Sequence, residues 1–556
     1  MADKEAPFAN GTCFCASLGY VHSIRQGRCF LLYGKVKSAC LQGIEGTIIE
    51  VEIDISNGLP QINLVGLPDS AIRESVERVR AAIKNCSYRF PMERITVNLA
   101  PADLRKEGSS FDLAIAASIL LTSGQIFPDQ LEKTLWLGEL ALDGSLRAVP
   151  GVLSMVHTAL QNGIDRMIVP WQNAEEAGII EGVKVFGIRN LSELRELGRR
   201  ECSLKIVNDI KDAALKMAEP QQAADETQPI TPFTEDYSDV SGQHQAKRAM
   251  MIAASGMHNI ILLGPPGTGK TMLVRRLPTI LPPMSDEEAL EVTKIYSSVG
   301  KLTEKAALLR KRPFRSPHHT VSAAGLVGGG SIPKPGEVSL AHRGVLFLDE
   351  LPEFTRHVLE VLRQPLEDRR VTIGRARAVF SFPSHFILAA AMNPCPCGYW
   401  GAESHLHSCT CSSTKIDRYR SKISGPLLDR IDLHVEVPKL EYKHILDREN
   451  ALSSSDMTVK VRLAHERQKH RFRETEIQFN SELTGKLLRV CCRLKEDGED
   501  LLRRSFDMLG LSVRAHDRIL RIARTIADLE DSETIESSHI AEALQYRNLD
   551  KLRQRG

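Results

Sequence analysis

The run Asn259-Ile260-Ile261-Leu262-Leu263-Gly264-Pro265-Pro266-Gly267-Thr268-Gly269-Lys270-Thr271 leaves this chain few folds to choose from. Apolar residues end at a glycine, a tight Gly/Pro loop follows, and Met272-Leu273-Val274-Arg275-Arg276 continues at helical spacing. The pattern G-x-x-x-x-G-K-[ST] is met at every fixed position. Glycines at 264, 267 and 269 let backbone N–H groups close around an anion with no Cβ in the way. The helix that follows turns its positive end to the same place. Lys270 is then the residue that reaches the β- and γ-phosphates of ATP, and the Thr271 hydroxyl is a ligand for Mg²⁺. The whole loop, Gly264, Pro265, Pro266, Gly267, Thr268, Gly269, Lys270 and Thr271, is the expected seat of the nucleotide. Strand, phosphate loop and helix in that order commit this part of the chain to an α/β domain with a parallel sheet.

That unit is only part of 556 residues, a length too great for one core and suited to about three domains. A hydrophobic content of 42% and a charged content of 26% are those of a soluble globular protein. The net charge of +2 gives no overall attraction to nucleic acid, so any nucleic-acid contact must come from local patches. No apolar run approaches the roughly 18 residues of a membrane helix. Met1-Ala2-Asp3-Lys4-Glu5 lacks the basic-then-apolar pattern of an export signal. A reduced, cytoplasmic setting is therefore expected for the twelve cysteines, with no membrane partner.

Five segments are expected. Residues 1–33 form an N-terminal extension in which Cys13, Cys15 and Cys29 show no clear period. Residues 34–204 alternate strands and helices: Gly46–Ile55, Arg94–Leu99, Leu135–Leu140 and Arg166–Pro170 as strands, Ala71–Ile83 and Phe111–Leu121 as helices. Residues 205–235 are a polar linker rich in Ala, Gln and Pro. Residues 236–440 carry the phosphate loop, and 441–556 are helical.

The segment Asn98-Leu99-Ala100-Pro101-Ala102-Asp103-Leu104-Arg105-Lys106-Glu107-Gly108-Ser109-Ser110-Phe111-Asp112, with Gly138-Glu139-Leu140 and Gly163 to Pro170, resembles the Lon protease domain, a ribosomal-S5-domain-2-like fold. That resemblance puts Ser110 at the nucleophile's place. The lysine that should activate it is missing, since Leu153 stands at the matching position. A serine without a base is a poor nucleophile, so a protease-like fold without protease activity is expected.

About 80 residues beyond the phosphate loop, Gly344-Val345-Leu346-Phe347-Leu348-Asp349-Glu350 places two acids at the end of a strand read as buried. Asp349 is expected to hold Mg²⁺, and Glu350 to orient and deprotonate the attacking water. Several further segments resemble AAA+ ATPases. Asp236 to Gln243, before a helix, looks like the part that caps adenine, with Val240 and Gln243 as contacts. The strand ending at Asn393 resembles sensor 1, which positions the water. Ser424-Gly425-Pro426-Leu427-Leu428-Asp429-Arg430-Ile431-Asp432 resembles the Mg-chelatase and MoxR pattern, with Arg430 as an arginine finger reaching a neighbour's nucleotide. A finger supplied in trans requires a ring. Leu511 to Leu529 has strong helical periodicity and resembles the lid. Arg514 is its sensor 2, expected over the γ-phosphate of its own subunit, and Arg518 and Arg521 are expected as surface or interface charges.

Arg310-Lys311-Arg312-Pro313-Phe314-Arg315-Ser316-Pro317-His318-His319-Thr320, followed by Gly325 to Gly330, is basic and aromatic-interleaved, as a DNA-contacting pore loop would be. Arg369, Arg370, Arg375 and Arg377 flank a hairpin-like stretch that could add to it. Cys395, Cys397, Cys409 and Cys411 form two C-x-C pairs, with His405 and His407 between them. They are candidate ligands for structural zinc, although the usual spacing is C-x₂₋₄-C.

Most of the chain beyond residue 33 resembles the ComM/YifB family of Mg-chelatase-like AAA+ ATPases. The resemblance implies a homo-hexamer that hydrolyses ATP with Mg²⁺ and drives branch migration of DNA during recombination and natural transformation. A metal-chelatase-type motor acting on a protein partner is the main alternative. An ATP-dependent protease is disfavoured at Leu153. A non-catalytic interaction protein is disfavoured by Lys270, Asp349, Glu350 and Arg430.

Overall fold

The computed structural model describes residues 33–106, 108–128, 130–196, 235–302, 308–330, 333–375, 378–401, 408–440 and 452–547, together with four short strands between 7 and 31. Residues 205–234 of the expected linker, His405, His407 and Arg377 lie outside these residues. The chain divides into two compact units, Met1–Gln228 with Thr293–Leu308, and Pro229–Val292 with Leu309–Gly556.

The first unit is built on a seven-stranded sheet in the order Lys184–Ile188, Arg166–Pro170, Thr134–Trp136, Tyr33–Gln42, Glu45–Ser56, Arg94–Ala100, Gln61–Val65. The helix Asp112–Thr122 is buried at every residue, which explains its largely apolar text. Its one acid, Asp112, accepts from Arg78 Nε at 2.9 Å and from the Leu140 N–H at 3.2 Å. Burial nonetheless pushes the Asp112 carboxyl up to about 6. Two sequence expectations change here. Leu135–Leu140 is not one strand: its pairing with Arg166–Pro170 ends with the Leu137 N–H on the Ile168 carbonyl, the Gly138 N–H goes to the Ser110 carbonyl instead, and Glu139–Leu140 belongs to a separate ribbon. Between residues 7 and 31, Pro7–Phe8, Thr12–Cys15, Tyr20–Arg25 and Arg28–Leu31 form an antiparallel sheet where the sequence shows no period. Ser110 Oγ donates to the Ala39 carbonyl at 3.4 Å, and the buried Lys106 ammonium donates to the Pro101 carbonyl.

The second unit holds five parallel strands in the order Phe314–Arg315, Val345–Leu348, Ile387–Met392, Ile260–Leu263, Leu433–Glu436. The central strands are buried throughout, as continuous apolar runs in a covered parallel sheet should be. The helix His244–Gly256 packs in the same core as Ile260 and Leu262, and so do Met457 and Val461 of Ser454–Arg471 and Ile519 and Ile522 of Val513–Leu529. The helix Val513–Leu529 starts where Ser512 Oγ accepts the Ala515 N–H at 3.2 Å. Among the described residues no helix is long and apolar enough to cross a membrane.

One buried acid ties the C-terminal helices together. Asp528, fully buried, accepts from Arg471 Nη1 at 2.8 Å, Arg524 Nη2 at 3.0 Å and Asn480 Nδ2 at 2.8 Å. Asp528→Ala strips the buried Arg524 and the half-buried Arg471 of their shared carboxylate and is expected to cost about 3–5 kcal/mol. Chemical denaturation should show this as a lower midpoint, and an unchanged midpoint would refute the assignment of Asp528 as the anchor.

Candidate active site

The phosphate loop bends where its glycines allow it. Gly267 and Gly269 have φ of +78° and +88°, with open space where a Cβ would stand. Gly264 is needed for a different reason, since a Cβ there would lie 2.2 Å from the Val437 carbonyl. Lys270 Nζ donates to the Gly264 and Pro265 carbonyls at 2.7 and 2.9 Å and to Asn393 Oδ1 at 3.2 Å. Burial lowers its pKa, and the Asp349 carboxylate acts the other way. Thr271 Oγ1 donates to Asp349 Oδ2 at 2.9 Å. The sheet order explains the grouping. The strand ending at Asn393 lies between the one feeding the loop and the one ending at Asp349, so all three carboxyl ends converge. Glu350 sits beside them at φ 52°, its carboxylate 58% exposed and 4.0 Å from His319 Nδ1.

Gln243 touches the loop at Thr268. Val240 is buried, and Gln243 Nε2 donates to the Thr268 and Pro438 carbonyls at 3.4 and 2.9 Å. Two neighbours escaped the sequence reading. Tyr237 is fully buried with its hydroxyl donating to the Leu273 carbonyl at 2.8 Å, and Arg276 Nη2 pairs with Asp239 at 3.0 Å. A tyrosine and an arginine in ordinary contexts gave no signal.

Arg430 and Arg514 are elsewhere. Both line a cleft of about 300 Å³ with Asn259, Glu367, Phe386 and Asp432. Asn259, Phe386 and Asp432 immediately precede three of the parallel strands, so this cleft lies at their amino ends. Phe386 and Asn393 are separated by the six residues Ile387–Met392, a rise of about 20 Å. That is further than an arginine side chain can span. Arg514 is therefore not over its own subunit's phosphate, which corrects the sequence expectation. It shares a face with Arg430, whose guanidinium donates to Glu367 and to the Pro426 carbonyl.

Arg518 is corrected too. It is buried, with Nε 3.2 Å from Asp432, because one side of its helix faces the ends of the strands. Burial would raise the Asp432 carboxyl, but His258, Arg518 and Arg521 hold it below the usual carboxylate range. Asn259 fixes the backbone here, its Nδ2 donating to the Arg430 carbonyl at 2.9 Å and its Oδ1 accepting from the Leu388 N–H at 2.8 Å.

The basic run is less available than its text suggests. Arg312 is buried against the Pro282 and Arg343 carbonyls, and Arg315 forks onto Glu337 at 2.6 and 2.9 Å. The hairpin expected beyond it is present, Arg370–Arg375 pairing antiparallel with Ala378–Pro383. The four thiols of Cys395, Cys397, Cys409 and Cys411 lie within 4.8 Å of one another. Tetrahedral Zn–S bonds of 2.3 Å would put sulfurs about 3.8 Å apart. The backbone N–H of Tyr399 holds the Cys397 thiol below the usual thiol range.

Comparison with known proteins decides the family. Residues 236–445 match the family described as "Magnesium chelatase, subunit ChlI", 51–173 "Subunit ChlI of Mg-chelatase", and 451–547 "Magnesium chelatase, subunit ChlI C-terminal". The competence protein ComM of Haemophilus influenzae is 42% identical over 522 residues, covering 94% of this chain and 98% of that one. The chain belongs to the ComM/YifB family of Mg-chelatase-like AAA+ proteins. YifB of Salmonella typhimurium, an uncharacterized protein, is 44% identical over 512 residues, 92% of this chain and 96% of its own. The 38 kDa magnesium-chelatase subunit of Rhodobacter capsulatus is 26% identical over 200 residues, 33% of this chain and 55% of its own.

Membership in a ComM/YifB-type AAA+ family implies ATP and Mg²⁺. The residues fit the ion. Adjacent ligands in an octahedron with 2.0–2.1 Å bonds stand about 2.9 Å apart, and Thr271 Oγ1 and Asp349 Oδ2 are 2.9 Å apart.

Proposed function

We propose that this chain is an ATP-hydrolysing motor that assembles as a homo-hexameric ring and drives branch migration of DNA. The observation that carries the ring is the length of the sheet between Lys270 and Arg430. One copy offers a phosphate grip at the carboxyl ends of its strands and an arginine face at their amino ends. Two copies in head-to-tail contact bring the two together, and a closed succession of such contacts is a ring.

In this reading Lys270 binds the β- and γ-phosphates, while Thr271 and Asp349 hold Mg²⁺, which screens the phosphate charge. Asn393 orients the attacking water and Glu350 takes its proton. The neighbour's Arg430, joined by Arg514 from the same face, stabilises the charge on the transferring phosphoryl group. The four thiols are taken as ligands of one structural zinc ion. DNA as the object of the motor is supported by the relative named a competence protein, and by the exposed Arg370 on the hairpin.

Forked DNA and a four-way junction are each expected to raise ATP turnover several-fold and, with ATP, to be converted to branch-migrated products on a native gel. Turnover unaffected by either DNA would remove DNA as the substrate and favour a chelatase-type motor acting on a protein.

A further inference from the structure

We propose that zinc held by Cys395, Cys397, Cys409 and Cys411 is a clamp that sets Asn393 and the phosphate loop, so that ATP turnover depends on an ion outside the nucleotide site. The inference rests on the ATPase reading above. Its starting point is chain continuity, because Cys395 follows Asn393 by two residues and is fully buried. Its Sγ lies 3.2 Å from that of Cys397 and 3.8 Å from that of Cys409, and Cys397 and Cys409 are 3.6 Å apart. Four thiolates at such spacing repel one another unless a cation joins them.

Two sets of contacts run from this cluster to the site. Gly398, whose N–H donates to the Cys395 carbonyl at 3.0 Å, bears on the phosphate loop. A Cβ at Gly398 would lie 2.6 Å from Pro266 Cδ, and its φ of +88° favours glycine as well. The second set runs through the helix Ser413–Arg420, which begins two residues beyond Cys411. Its Arg420 donates to the Pro394 carbonyl at 3.2 and 3.1 Å, holding the peptide that joins Asn393 to Cys395. The same guanidinium lies 4.3 Å over the Trp400 ring, and the Trp400 N–H points at Cys395 Sγ at 3.4 Å. The Tyr419 hydroxyl meets the Asn393 backbone. Asn393 in turn accepts from Lys270 Nζ. Drawing the two C-x-C pairs to one point thus fixes Asn393 from its C-terminal side and supports Pro266 from outside. These groups position others; none of them touches the reacting atoms.

The test uses the full-length chain. Elemental analysis of purified protein is expected to give one zinc per chain. Chelation should lower kcat for ATP by about 10- to 100-fold, the effect of shifting a positioned group by about 1 Å, with KM changing little and added zinc restoring kcat. Cys409→Ser should lose the zinc and the activity, and added zinc should not rescue it. Chelation of the wild type makes the same reading if that variant fails to fold. Absence of zinc, or zinc that can be removed with kcat intact, would overturn the clamp. A wild-type chain that carries zinc but turns over no ATP under any condition would instead overturn the ATPase reading, so the two failures are distinguishable.

Discussion

Glu350→Gln is expected to lower ATP turnover by about 10²–10⁴-fold while ATP affinity stays within a factor of a few. The carboxylate is 58% exposed, and its side chain approaches His319 at 4.0 Å. Its backbone N–H donates to Asp349 Oδ1 at 3.0 Å, a bond that glutamine keeps. The phosphate grip consists of Lys270, Thr271 and Asp349, joined by hydrogen bonds in which the Glu350 side chain has no part. Removing its charge therefore removes the base and leaves the grip in place. Glutamine retains the size and an acceptor oxygen, so the loss isolates proton transfer from packing. Phosphate release gives kcat, and fluorescence of a labelled ATP analogue gives affinity. Turnover retained by the variant would show that another group takes the proton. Affinity lost along with turnover would show that Glu350 belongs to the grip.

What the sequence made legible follows from how each feature is encoded. The strands Ile260–Leu263, Val345–Leu348 and Ile387–Met392 are covered on both faces, so each reads as an apolar run ending in the residue that matters. The thiol cluster was legible as spacing. Tyr33–Gln42 was missed because Lys35 and Lys37 alternate with the buried Val36 and Ser38, a pattern that looks polar until Lys35 is seen on Glu50 at 2.6 Å. Arg312 and Arg315 are less free than their text suggests, and Arg518 is buried, for one reason. A charge reads as exposed unless its partner is known, and Asp432 is far from Arg518 in sequence. Arg514 shows the same limit at larger scale, since its own text does not say which end of the sheet its helix will meet.

That misreading yields the second large effect. Arg430→Ala is expected to lower ATP turnover by about 10³–10⁵-fold, the range seen for loss of an arginine finger, with ATP binding preserved. Lys270→Ala should be inactive for the opposite reason, through loss of the phosphate grip. Each variant keeps what the other lacks. In an equal mixture of the two, a site is whole where an Arg430→Ala subunit presents its phosphate loop to the arginine face of a Lys270→Ala subunit. Random assembly into a ring makes about a quarter of the interfaces whole, so the mixture should recover activity that neither variant shows alone. The same mixing with Arg514→Ala separates the two placements of that residue. If Arg514 acts on the neighbour's nucleotide, as its position beside Arg430 in the cleft supports, Arg514→Ala is rescued by Lys270→Ala. If it acts on its own subunit's nucleotide, each intact phosphate loop in the mixture still carries the defective arginine, and mixing brings no recovery. Failure of Arg430→Ala to be rescued, in a mixture shown by native mass spectrometry to contain mixed rings, would refute the shared site.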